Sequence, residues 1–202
     1  PVWITQQVEV PFFRKVLEWQ WEQRLIPYWQ EQGKIAADHG VTLCFENQVG
    51  DMLHSPVAIK RLHDAIGSVA ACNFDISHMW AQGIDPIEAL RYLGDLVQHI
   101  HLKDTLIHAS NHRLKGFTDS TYPIHPEARA YTFTIPGWGH DEGVWREVIT
   151  TLRLIGYDDI LSMEMECEYM NIAEGLEKAV AFMQPLLIEK PTGKRWWQAA
   201  EF

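Results

Sequence analysis

The sequence predicts an α/β protein of the parallel (β/α)-barrel type, built as one helical region followed by four strand–helix units. Three observations lead there. First, four residues with metal-binding side chains each close a separate strand-like run: Glu46 after Val41–Phe45, Asp75 after Ala70–Phe74, His101 after Val97–Ile100, and Glu164 after Ile160–Met163. Second, Glu46 and Asp75 lie 29 positions apart, and Asp75 and His101 lie 26 apart; an eight-stranded barrel uses about 31 residues per strand–helix unit. Third, the runs share a parity. Strand side chains alternate between faces. Thr42, Cys44, Ala71, Asn73, Val97, His99, Ile160 and Ser162 should therefore point inward with the four end residues, while Leu43, Phe45, Cys72, Phe74, Leu161 and Met163 turn towards the helices. One ligand per unit at the carboxyl end of its strand converges on the face where such barrels keep their chemistry. Three carboxylates and an imidazole suit one divalent cation of the hard or borderline kind: Mn, Mg, Co or Zn. The alternative, four unconnected polar strand ends, leaves spacing and parity to coincidence.

The elements follow in order. A helical region covers roughly 11–39, with Gly40 as its stop and Pro27 as a break or kink. Its aromatics, Trp19, Trp21, Tyr28 and Trp29, read as packing. Ser55-Pro56 opens a helix that Gly67 closes; Asp85-Pro86 with Glu88 opens another that Gly94 closes. Asp75 is expected to lead into a loop. Residues 104–141 hold no long helical pattern and read as a loop on the active face, a lid or pocket wall. Helices are expected at about 142–155 and 172–188, with a strand at 159–164 between them, and 189–202 form a tail whose Lys194-Arg-Trp-Trp197 is a frayed end or an assembly contact. Four strands do not close an eight-stranded barrel. The chain is therefore expected either to be half of a longer protein or to pair with another copy or polypeptide.

The 202 residues fit a single, partial barrel domain, with 47% hydrophobic and 22% charged residues and a formal charge of −10. That acidity opposes nucleic acid and acidic membranes as partners. No apolar run has the length of a transmembrane helix. Three cysteines in non-repeating contexts point to reduced thiols and a cytoplasmic location.

At several stretches the chain resembles the sugar phosphate isomerase/epimerase family, the xylose isomerase-like TIM barrels. They are Asn73-Phe-Asp-Ile-Ser-His78, Trp80-Ala-Gln-Gly-Ile-Asp-Pro86, His99-Ile-His-Leu-Lys-Asp104, Pro136-Gly-Trp-Gly139, Gly156-Tyr-Asp-Asp-Ile-Leu-Ser-Met-Glu164 and Glu174-Gly-Leu-Glu-Lys178. The resemblance covers about residues 15–187. It implies the last four strands of a (β/α)₈ barrel and one divalent metal held by Glu46, Asp75, His101 and Glu164. The chain departs from the family pattern at Gln48, where a histidine is common, at Glu164-Met-Glu-Cys167, where Glu-His-Glu-Asp is common, and at Thr134, where an arginine is common. These departures spare the metal set and bear on the substrate.

The chemistry so implied is isomerisation or epimerisation of a sugar, sugar phosphate or related hydroxy-carbonyl compound through an enediolate. The cation polarises the carbonyl, and Glu46 and Glu164 serve as base and acid. His78 and Lys103 are expected to touch the substrate, Trp138 to stack on it, Glu166 to orient its neighbours, and His99 to be hydrogen-bonded rather than ligating. Lys103 alternatively pairs with Asp104 or Glu166. His54, His63, His108, His112, His125 and His140 have no partner that the sequence assigns. Three rivals stand beside this reading. One is a keto-inositol dehydratase-type lyase using the same groups. Another is phosphodiester cleavage, which the acidic balance opposes. The last is a half-barrel that binds metal or a partner without turnover.

Overall fold

A computed structural model of the chain describes residues 10–118, 125–190 and 193; the Lys194–Trp197 segment lies outside the described residues. In chain order the elements are α1 (Pro11–Gln20), a π-helical turn (Trp21–Leu25), α2 (Ile26–Asp38), β1 (Leu43–Glu46), α3 (Pro56–Ile66), β2 (Ala70–Asp75), α4 (Ile76–Gln82), α5 (Pro86–Leu93), β3 (Val97–Leu102), β4 (Asp104–Ile107), α6 (Ala109–Lys115), β5 (Tyr131–Thr134), α7 (Glu142–Leu154), β6 (Leu161–Met163) and α8 (Ile172–Met183). β1, β2, β3 and β6 form a parallel sheet in that order, each joined to the next through helices. This is the strand–helix alternation of a partial barrel. Among the described residues, no helix is long and apolar enough to cross a membrane.

The break expected at Pro27 takes the form of the π turn. Proline lacks an N–H and its ring crowds the carbonyl four residues back. The wider turn, closed by the Ile26 N–H on the Trp21 carbonyl, relieves both before α2 resumes. Helix starts follow their caps: the Ser55 hydroxyl accepts from Ala58 N–H, and the Asp85 carboxylate from Ile87 and Glu88 N–H.

The core lies between the outward face of the sheet and the helices. Cys72, Phe74, Ile100 and Leu102 are fully buried there against Leu62, Leu90, Trp145 and Val148, and each such apolar side chain stabilises the fold by roughly 1.5–3 kcal/mol. Trp21 and Trp29 join this layer, Trp29 edge-on to Phe45, whereas Trp19 and Tyr28 are half exposed. One parity assignment changes. Val97 faces the core, not the inner side, because the register shifts between Cys72 and Asn73: Cys72 pairs with Val97 but Asn73 pairs with His99. Gln98 is the extra residue, and beyond this bulge the expected alternation resumes.

Two stretches expected as loops are ordered. After Asp75 the chain enters α4 directly, and Gly83 closes it in a left-handed conformation (φ 73°). Within 104–141, β4 pairs antiparallel with β5, and α6 lies between them. His112 on α6 lies against the Phe117 ring. His54 and His63 bond backbone carbonyls, and His125 lies 3.7 Å from Glu127 at the surface.

Candidate metal centre and cavity

The parallel register puts the carboxyl ends of four strands side by side, with Asp75 opposite His101 and Glu164 following Met163. One ligand atom from each of Glu46, Asp75, His101 and Glu164 lies within 4.8 Å of all the others. His101 Nδ1 is the hub: it is 3.1 Å from Glu164 Oε2, 3.4 Å from Glu46 Oε1 and 3.8 Å from Asp75 Oδ2. Asp75 is fully buried and divides its labour. Its Oδ1 caps α4, accepting from the Ser77 N–H (2.9 Å) and hydroxyl (2.6 Å), while Oδ2 faces the cluster. Asn47, also fully buried, locks the ends of β1 and β2 together: its carbonyl accepts the Asp75 N–H and its amide donates to the Asp75 carbonyl, both at 2.8 Å.

These groups can hold a metal ion. Asp75 Oδ2 and His101 Nδ1 are buried and make no well-directed hydrogen bond; their close neighbours are the charged groups of the site, Lys103 Nζ at 3.0 Å from the first and Glu164 Oε2 at 3.1 Å from the second. Both look into the space between the four ligands, and the oxygen-rich donor set with one imidazole is that of a small divalent cation.

Electrostatics accord with that reading. Burial alone would raise the Asp75 carboxyl, but His101 and then Lys103 and His78 outweigh it and hold it far below the usual carboxylate range. Contacts with Asp75, Glu164 and Glu46, in that order, push the His101 imidazole up to about 11. The His101 contact lowers Glu164 against the opposing effect of burial, with Lys103 assisting. Lys103 is 1% exposed. Burial disfavours its charge, yet Asp75 at 3.0 Å and Glu164 and Glu166 at 2.7 Å each raise it above the ordinary lysine range. Of the pairings open from sequence, Glu166 is present and Asp104 is not.

His78, on α4, is 3% exposed. Its Nδ1 accepts the Val49 N–H at 3.4 Å, and Nε2 points at Asp75 (3.6 Å) and Glu46 (3.8 Å). Burial pushes it below the ordinary histidine range, which leaves a neutral ring with its proton on Nε2. His99 is hydrogen-bonded to the Ser162 hydroxyl at 3.0 Å and does not join the ligands.

Glu46 and Glu164 of the cluster line a cavity of about 550 Å³, together with Glu166, His78 and Lys103. Gln48 lines it too, as do His54, Tyr131 and Phe133. Trp138 is not among the described lining residues; it is half exposed, with the Lys178 ammonium 5.5 Å from its ring centroid. The aromatic wall comes instead from β5, where Phe133 meets His78 edge-on and the Lys103 ammonium lies 4.8 Å from its centroid. The Tyr-Thr-Phe-Thr alternation of 131–134 carried that signal in the sequence.

Asp104, which the sequence offered only as a partner for Lys103, and His140, to which it assigned no partner, belong to one hydrogen-bonded network. Fully buried, Asp104 accepts N–H groups of Gly137, Gly139 and His140 on Oδ2 at 2.9–3.1 Å, the Thr105 N–H and His140 Nδ1 on Oδ1 at 2.7 Å, and the Trp145 indole at 3.3 Å. The His140 ring stacks on Trp80. Asp104 thus ties the 136–140 loop to the residue next to Lys103. His108 bonds Thr132 across the β4–β5 pair.

Residues 6–186 match the family model described as xylose isomerase-like TIM barrel. The uncharacterized protein YfiH of Bacillus subtilis is 33% identical over 182 residues, which are 89% of this chain and 58% of that protein. An inosose dehydratase of Geobacillus thermodenitrificans is 25% identical over 81% of this chain and 54% of its own length. The chain thus spans little more than half the length of these curated relatives. Among solved structures, the 3-keto-D-glucoside 4-epimerase YcjR of E. coli shares the fold with a TM-score of 0.62 at 14% identity, over 91% of this chain and 61% of that one.

Proposed function

The chain belongs to the xylose isomerase-like TIM barrel family, and on that premise we propose that it carries the divalent-metal and acid–base site of an isomerase or epimerase acting on a sugar or a related hydroxy-carbonyl compound. The observation that carries the proposal is the convergence of four ligand atoms, one each from Glu46, Asp75, His101 and Glu164, within 4.8 Å of one another. Glu46, Asp75, His101 and Glu164 would hold one Mn, Mg, Co or Zn ion, which when bound supplies Lewis-acid polarisation of a substrate carbonyl.

The chain's own groups do the rest. Glu164, held as a carboxylate, is poised to take a proton from carbon, and Glu46 on the other side of His101 to work as the opposite partner on the way to and from an enediolate. His78 presents an Nε2–H donor to a substrate oxygen. Lys103 holds the carboxylates in place and offsets part of their charge while reaching the cavity. Phe133 and Tyr131 take the stacking role expected of Trp138.

The test is calorimetric titration with Mn²⁺. The chain should bind about one equivalent, and Glu164→Gln should keep its circular dichroism spectrum while losing at least about tenfold in affinity, which is about 1.4 kcal/mol. Glu164→Gln binding as tightly as the parent would refute the assignment. In the completed barrel the same substitution abolishes turnover.

The 25% identity to an inosose dehydratase favours a second reading, a lyase that loses hydroxide after the same carbon deprotonation; product analysis separates the two. Both edges of the four-stranded sheet, β1 and β6, lack a strand partner among the described residues. Turnover is therefore proposed for the barrel completed by the missing half or by another copy, and metal binding for this chain.

A further inference from the structure

We infer that Asn73 is a positioning residue whose side-chain carbonyl accepts the Nε2–H of His101 and so makes Nδ1 the nitrogen that gives up its proton and faces the cation. The inference rests on the metal-site reading above and adds a residue outside the four ligands.

The two ring nitrogens of His101 have different surroundings. Nδ1 faces the three carboxylates. Nε2 faces the side-chain amide of Asn73 at 3.2 Å. A neutral imidazole has one donor and one acceptor nitrogen. If Asn73 donated to Nε2 through its NH₂, the ring proton would sit on Nδ1, and that atom would have no lone pair for a cation. With the amide turned over, Oδ1 meets Nε2–H and Nδ1 is free. The two amide orientations fill the same volume, and the hydrogen-bond network chooses between them. In either one, the far end of the amide has no protein partner, as the buried Asn73 Oδ1 now shows. What separates the orientations is therefore the ring. Only the carbonyl-inward one is compatible with ligation through Nδ1, the nitrogen that lies 3.1–3.8 Å from the three carboxylates at the centre of the cluster.

The placement follows from β2. Asn73 and Asp75 share the inward parity of one strand, and Asp75 lies opposite His101 on β3. One strand thus supplies a ligand and, two residues earlier, the group that fixes the tautomer of the neighbouring strand's ligand. Partners of this kind to a ligating histidine typically contribute about 10–100-fold in metal affinity.

The experiment compares the parent chain with Asn73→Leu, which removes the acceptor at similar volume, and Asn73→Asp, which keeps one. Zn²⁺ titration should show Asn73→Leu weakened by about 10–100-fold and Asn73→Asp at or above parental affinity, with similar metal-free melting curves. Long-range ¹H–¹⁵N spectra of the Zn²⁺-loaded, ¹⁵N-histidine-labelled parent should place the His101 proton on Nε2. Asn73→Leu within about twofold of the parent, Asn73→Asp as weak as Asn73→Leu, or a proton on Nδ1 would each overturn the inference. Should Asn73→Leu fail to fold, the parental spectra and Asn73→Asp decide alone. A parent chain that binds no Zn²⁺ sinks the metal-site reading itself, an outcome distinct from a parent that binds while Asn73→Leu binds equally well.

Discussion

Replacing Lys103 with methionine removes an ammonium that is 1% exposed and within 3.0 Å of three carboxylates. Methionine fills much of the same volume, so the change is mainly one of charge. Breaking a buried ion pair from one side costs about 3–5 kcal/mol, because the surviving charge is stranded. Here the partners differ. Asp75 is fully buried, while the Glu164 and Glu166 side chains are 32% and 49% exposed and recover hydration. The lower end of the range, about 3 kcal/mol, therefore applies in the metal-free protein. For a chain of this size that is a fall in Tm of about 6–12 °C. A divalent cation restores positive charge at the same carboxylates. Metal present at about 100 times its Kd stabilises the native state by about 2.7 kcal/mol, so the variant's melting temperature should depend strongly on metal. The assay is thermal unfolding by circular dichroism of both proteins in EDTA and in excess Mn²⁺. A metal-free Lys103→Met that melts within about 2 °C of the parent would refute the account of Lys103 as internal counter-charge, whatever its effect on turnover.

Metal binding should release a proton. With His101 raised to about 11, the metal-free ring is protonated at pH 8 and must surrender a proton before Nδ1 can ligate; titrations in buffers of different ionisation enthalpy should report about one proton released, and apparent affinity should rise about tenfold per pH unit between roughly 7 and 10. The same shift gives the metal-free protein stability that is full below about 6.5, the unfolded value, and lost as pH rises through the folded value, which urea melts across that range would show. Asp104→Ala strands four backbone N–H donors, the His140 ring nitrogen and the Trp145 indole, and should cost at least about 3 kcal/mol in urea unfolding. Gly139→Ala should cost a similar amount, about 3 kcal/mol, because its methyl would lie 2.2 Å from the Thr105 carbonyl oxygen.

What was legible in the sequence is what one strand or one helix end decides by itself. The convergence of Glu46, Asp75, His101 and Glu164 could be read because each ends its own strand, and a parallel sheet turns equal positions in successive units into neighbours. The caps at Ser55 and Asp85 could be read because a cap is local chemistry. α4 could not, because at seven residues it is too short for an apolar period, and its cap is the carboxylate already claimed as a ligand. Val97 was misplaced because a one-residue bulge leaves no mark in the alternation on either side of it. The placement of Phe133 in the cavity wall depends on β5 finding β4 across an intervening helix. Asp104 depends on a loop more than thirty residues away folding back to surround it. Apart from α4, these misses share a cause: each was settled by a contact between segments distant in the chain. The centre itself sits on the boundary between the two kinds of feature. The four converging groups are local in origin, while the groups that contact them, Lys103, Asn47 and Asn73, act across strands. On the proposed reading the strand-end pattern marks where a cation would sit, and the cross-strand groups would govern how tightly it binds and at what pH.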